Sequence, residues 1–210
     1  MKRISTLLAL VLISGMIYAQ GPLDFGIKVG MNLASLPTTN TDSIVSSVTT
    51  KSMYGYQAGI FLRITIKKFI IQPEVYFSLK GGDITYKLAP DSASVVNSIT
   101  KKVRLYNVDI PIMIGYNIVD NALFKFRAMA GPVASINLDK TIDINTAGVH
   151  ADLGKTDLNT IMWNIQAGLG IDLWKITLDV RYEFGLNELN KGATEQTKSN
   201  SYMVSLGLKF

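Results

Sequence analysis

Eight stretches of this chain place apolar side chains on every second residue, and the last of them, SYMVSLGLKF, runs to the final residue. There Tyr202, Val204, Leu206, Leu208 and Phe210 share one parity, while Ser201, Met203, Ser205, Gly207 and Lys209 share the other. A period of two is strand spacing, and it admits only folds that give both faces of every strand a defined destination. The same alternation sets Phe25, Ile27, Val29, Met31 and Leu33 against Gly26, Lys28, Gly30 and Asn32. It recurs over 54–64, 69–80, 103–116, 122–134, 160–173 and 175–185. The run over 103–116 is the least regular. Val108, Ile110, Ile112, Ile114 and Tyr116 keep one parity, but Val103 and Leu105 fall on the other, which predicts a β-bulge near Tyr106–Asn107. Pro73 and Pro111 lie inside runs and cannot donate to a ladder, so they mark bulges or places where a strand departs from its neighbour.

Connections alternate between long (34–53, 81–102, 135–159, 186–200) and short (65–68, 117–121, 174–175). If successive strands pair antiparallel, all long loops gather at one end and all tight turns at the other. An even number of strands then puts both termini with the turns. Transmembrane barrels have this asymmetry, with short periplasmic turns and long outer loops. The long connections are rich in Thr, Ser, Asn and Asp and read as solvated, with some hairpins extending beyond the membrane.

Alternation alone also suits a soluble β-sandwich. Three features favour lipid. The polar parity carries Gly26, Gly30, Gly55, Gly59, Gly115, Gly131, Gly168, Gly170 and Gly207, and glycine makes room where strands curl around a narrow lumen. The other parity carries more bulky apolar side chains than an eight-stranded interior holds, so it must face hydrocarbon. Aromatics collect near run ends, among them Phe25, Tyr54, Phe69, Tyr116, Phe124, Trp163, Phe184 and Phe210, as in interfacial girdles. The expected fold is all-β: an eight-stranded antiparallel up-and-down transmembrane β-barrel, with termini on the short-turn, periplasmic side.

Composition supports export. Residues 1–19 combine Lys2 and Arg3, an apolar run from Leu7 to Ile13 and a small residue at Ala19, which reads as a cleaved signal peptide ahead of one barrel domain over 20–210. The absence of cysteine excludes a lipoprotein anchor, a disulfide scaffold and thiolate chemistry. The net charge of +5 comes without any Lys/Arg block, so no nucleic-acid partner is expected.

The segments FGIKVGMNL, FIIQPEVYFSLKGG, NVDIPIMIGY, AMAGPVASI, AGLGIDLW and LDVRYEFGLNEL, with the closing aromatic residue, resemble the PorT-like outer-membrane β-barrel family. The resemblance runs from about Asp24 to Phe210. In that family Gln-Pro-Glu and Ile-Pro motifs fall on adjacent strands, and here they are Gln72-Pro73-Glu74 and Ile110-Pro111. It implies an outer-membrane location, barrel-insertion machinery as a partner during biogenesis, and Phe210 as the terminal insertion signal. PorT itself is associated with a protein-secretion apparatus, a role that the resemblance does not carry over.

His150 is the only histidine, and Asp152 lies close to it, but no Ser-x-His spacing or nucleophile turn accompanies them. It reads as a solvated loop residue. Asp83, Asp91 and the pair Asp139 and Asp143 lack the glycine and spacing of a calcium loop. No catalytic, cofactor-binding or metal-binding residue is expected. On the polar parity near mid-depth stand Lys28, Glu74, Asp109, Arg127, Asp179 and Arg181. Isolated charges in a narrow lumen are costly, so these six read as a structural salt-bridge network that fills the barrel, against an ion path or ligand clamp. The function expected is that of a non-enzymatic barrel in outer-membrane lipid, with a side-chain-filled lumen and long polar outer loops, in a structural or macromolecule-interaction role in the cell envelope. The loops are where an envelope protein partner would bind, and a link to secretion is only what the family resemblance implies. The alternative is a small pore or solute transporter.

Overall fold

The computed structural model describes residues 23–40, 45–88, 98–146, 149–152, 161–187 and 195–210. The expected signal peptide, 1–19, and Asp91 lie outside these described residues. The strands within them are β1 (Leu23–Ser35), β2 (Thr38–Asn40), β3 (Val45–Ile66), β4 (Phe69–Leu88), β5 (Ser98–Asp120) and β6 (Phe124–Thr146). They continue as β7 (Val149–Asp152), β8 (Ile161–Leu173), β9 (Ile176–Gly185), β10 (Glu195–Thr197) and β11 (Asn200–Lys209).

Eight of these build the wall, each antiparallel to its neighbours in the order β1-β3-β4-β5-β6-β8-β9-β11. The wall closes on itself, because β1 pairs with both ends of the series: Lys28 faces Gly59 of β3 on one side and Gly207 of β11 on the other. The short β2 pairs with β10, and β7 adds to the far end of β6. Closure removes the unpaired edges that hydrocarbon does not tolerate. Parity then assigns the faces. Val29 and Met31 are 57% and 63% exposed on the outside, whereas Lys28 and Asn32 are buried inside.

The tight-turn end is held by backbone bonds from strand to strand and turn to turn. Asn117 donates to Lys68 O at 2.8 Å, Trp174 to Leu123 O at 3.1 Å, and Phe210 to Phe25 O at 2.8 Å. In the turns 67–68 and 174–175, Lys67 and Trp174 take φ of 56° and 54°. That left-handed region costs an L-residue about 1–2 kcal/mol, which the closed ladders on either side outweigh.

Strand length divides the barrel. β3, β4, β5 and β6 run 22, 20, 23 and 23 residues, against 13, 13, 10 and 10 for β1, β8, β9 and β11. The four long strands rise as a one-sided wall beyond the others at the long-loop end. Much of 81–102 and 135–159, expected as connection, is therefore strand.

This extension also corrects the expected role of the bulge. β5 keeps one inward parity from Val103 to Asn117, with Val103 and Leu105 both buried. A register break does fall between Tyr106 and Asn107, but the extra residue is Leu138 of β6, since Tyr106 faces Asp139 and Asn107 faces Asn137. The parity of β5 never changes; the surrounding medium does. Over the belt, outward positions meet hydrocarbon and want apolar side chains. Above it they meet water, so Lys102 and Arg104 point out, while Ile84, Val103 and Leu105 turn inward with Leu36. The inversion marks the level at which the wall leaves lipid.

Aromatic pairs bracket the belt. Near the turns, Phe25 stacks on Phe210 (6.3 Å between centroids) and Phe69 meets Tyr116 edge-on (5.3 Å). Near the long loops, Phe77 lies 6.3 Å from Tyr106 and Tyr182 lies 4.6 Å from Tyr202. Aliphatic residues such as Ile60, Ile114, Leu169 and Val180 face outward between the two bands. The prolines cause no bulge: the register passes through Pro73↔Ile112 and Pro111↔Val133 unshifted. The ladder instead skips the positions where Glu74 would face Pro111 and Ile112 would face Pro132, because proline has no N–H to donate.

Candidate functional site

The polar parity of the wall delivers its side chains into one narrow lumen. Among the described residues, six cations are buried there (Lys28, Arg63, Lys80, Arg127, Arg181 and Lys209) with five carboxylates (Glu74, Asp109, Asp172, Asp179 and Glu183). Burying a charge is expensive unless it is paired and hydrogen-bonded, and each of the eleven is paired.

At mid-depth, Asp179 of β9 binds Lys28 of β1 at 2.6 Å and Arg181 at 3.1 Å, and also engages Arg127 of β6. Glu74 of β4 holds Arg181 through both oxygens, at 2.7 and 2.9 Å, and Lys28 at 3.2 Å. This two-point contact fixes the guanidinium plane as well as its distance. Tyr76 and Thr177 complete the shell, accepting from Arg181 at 2.7 Å and from Arg127 at 2.6 Å. Toward the turns, Asp172 of β8 gathers Arg63 at 2.5 Å, Lys209 at 3.0 Å and Arg127. Toward the loops, Lys80 bridges Glu183 at 2.5 Å and Asp109 at 2.9 Å, and Ser78 donates to Asp109 at 2.6 Å. Gln166 joins this upper group to the centre, donating to Glu183 at 2.7 Å and accepting from Arg181 at 3.4 Å.

Small residues leave the space these groups occupy. A Cβ on Gly170 would stand 2.3 Å from Asp179 Oδ1 and 2.5 Å from Arg127 Cζ. The ring of Phe61 lies inside, 4.9 Å from Lys28 Nζ and 5.3 Å from Arg63 Cζ, a cation–π partner for both. Apolar side chains bound the network: Ile70, Met113 and Met129 form one buried cluster beside it, and Leu36, Ile84, Val103 and Leu105 lie toward the long loops.

All six charges singled out in the sequence lie in this lumen. Lys28, Glu74, Arg127, Asp179 and Arg181 form one connected group, and Asp109 belongs to the upper group with Lys80. The sequence reading missed Arg63, Lys80, Asp172, Glu183 and Lys209. Their signal was present, since each has inward parity; what parity lacks is depth. Phe210 is 59% exposed, in the aromatic band at the turn end. His150 falls on β7, in register with Asn145.

Residues 18–191 match the family model described as outer membrane protein beta-barrel domain. No curated protein matches the chain. Among solved structures the chain is similar to Ail, the attachment invasion locus protein of Yersinia pestis, at 13% identity and TM-score 0.47, over 90% of this chain and 99% of that one. It is similar to the outer membrane protein OprG from Pseudomonas aeruginosa at 14% identity and TM-score 0.46, over 91% and 98%. The outer membrane enzyme PagL matches at 12% identity and TM-score 0.31, over 88% and 98%.

Proposed function

The chain belongs to the outer membrane protein β-barrel domain family, and from that premise we propose a non-enzymatic envelope protein whose lumen is filled by its own side chains. Its long-loop end faces outward and engages a macromolecular partner, while the termini and tight turns face the periplasm. The observation that supports this reading is the mutual pairing of the lumen charges. Every one of the five carboxylates is held by a cation of the same barrel, so none is presented to a solute or a substrate. Eight strands enclose a volume that side chains fill. The one-sided wall of β3–β6 supports a partner-facing role, since it lifts exposed Lys51, Lys102 and Arg104 clear of the aromatic band. The PorT-like affiliation and the part of Phe210 as an insertion signal belong to the same proposal.

The sequence has no cysteine, so single cysteines report cleanly on orientation. Lys102→Cys is expected to react with a membrane-impermeant maleimide in intact cells, and Lys68→Cys only after the outer membrane is permeabilised. The reverse pattern overturns the orientation. A photo-cross-linker carried at position 102 is expected to give a discrete protein adduct in intact envelopes. Absence of any adduct assigns the barrel a stand-alone role in the bilayer instead.

A further inference from the structure

The unequal strands leave a notch on the outside of the wall. Pairing between β1 and β3 ends at Ala34↔Met53, whereas β1 stays paired with β11 to Ser35↔Asn200 and β11 with β9 to Ser201↔Glu183. In the corner where β3 rises away from this lower rim lies a cavity of about 280 Å³. Its lining is amphipathic. Leu33, Tyr182 and Tyr202 belong to the outward face of the belt and its upper aromatic band, while Ser35, Ser52 and Asn200 supply hydroxyl and amide groups above them. One cation adjoins it. Lys198 is tied to the notch by its N–H, which donates to the lining residue Pro37 at 3.2 Å, and its Nζ stands 5.6 Å from the Phe184 ring. Among the described residues, no carboxylate pairs with Lys198.

We propose that this notch seats one phosphate-bearing glycolipid of the outer leaflet. An acyl chain lies along Leu33, Tyr182 and Tyr202, in continuity with the lipid belt. Sugar hydroxyls meet Ser35, Ser52 and Asn200, groups that both donate and accept, and Lys198 neutralises the phosphate. Phosphatidylethanolamine has no hydroxyl to offer these groups. The inference rests on the outward orientation of the long-loop end. The cysteine labelling above reads that orientation without reference to lipid retention, so the two fail separately.

The test is native mass spectrometry of the full chain refolded in detergent with lipid A, phosphatidylglycerol or phosphatidylethanolamine. One lipid A per barrel is expected to survive collision energies that strip the other two. Ser52→Trp fills the notch from its lining and is expected to lower retention roughly tenfold, the factor that about 1.4 kcal/mol represents. Ser35→Trp serves as the second filling variant, and Lys198→Glu is expected to weaken lipid A retention alone. Equal retention of either phospholipid, or undiminished lipid A on both filled variants, overturns the proposal.

Discussion

Replacing Asp179 by alanine is expected to destabilise the barrel by about 3–5 kcal/mol, the usual cost of breaking a buried ion pair from one side. Asp179 is the carboxylate on which Lys28, Arg127 and Arg181 converge, and its side chain is fully buried. Without it the described lumen residues are six cations against four carboxylates, all buried away from bulk solvent. Asp179→Asn separates charge from shape: it keeps the volume and loses the anion, so it is expected to cost nearly as much. Adding Lys28→Met removes one uncompensated cation and is expected to recover about 0.5–3 kcal/mol, the range typical of coupled neighbours. Chemical unfolding in lipid vesicles, followed by the fluorescence of Trp163 and Trp174, measures all three variants. Additive effects in the double variant would mean that water already screens these charges.

The second large effect is expected on the outside. Val180 of β9 lies in a row with Leu169 and Val204, and the three are 54%, 50% and 52% exposed. This is mid-belt, between the aromatic bands, and Val180→Arg is expected to cost about 2–4 kcal/mol, as cations do at the bilayer midplane of barrels. Thr49 is also exposed, on the part of β3 that rises above the belt. Thr49→Arg is expected to stay within about 0.5 kcal/mol of the parent, as surface changes usually do. The contrast places the membrane boundary between them. Equal costs at the two positions would remove the inversion of the apolar face as a boundary marker.

Parity made most of the fold legible. A period of two tells each residue which face it shares, and one-sided bulk tells which face meets lipid, so Lys28 and Asp179 were assignable to the lumen from sequence. Depth was not, because it depends on how far each strand is staggered against the next. Asp172 and Lys209 converge on one site only through pairings that run from β8 through β9 and β11. Val103 and Leu105 fall out of phase with Val108 to Tyr116 because β5 passes from lipid into water, where the apolar parity inverts. The polar stretches around Lys51, Asp83 and Lys102 read as loops, yet these residues form one cross-strand row, in which opposite charges face each other. Lys67 and Trp174 carry no turn signal, since neither is the glycine or asparagine that positive φ favours.

The most direct test of a lumen closed by its own ion pairs is electrical. Purified wild-type barrel inserted into a planar bilayer is expected to show no stable conductance step at any holding potential the membrane withstands. The side chains of Lys28, Glu74, Lys80, Arg127, Asp179 and Arg181 would have to part before an ion could pass. A large and persistent current through the wild-type barrel would contradict the account and make this charged face a conduction path.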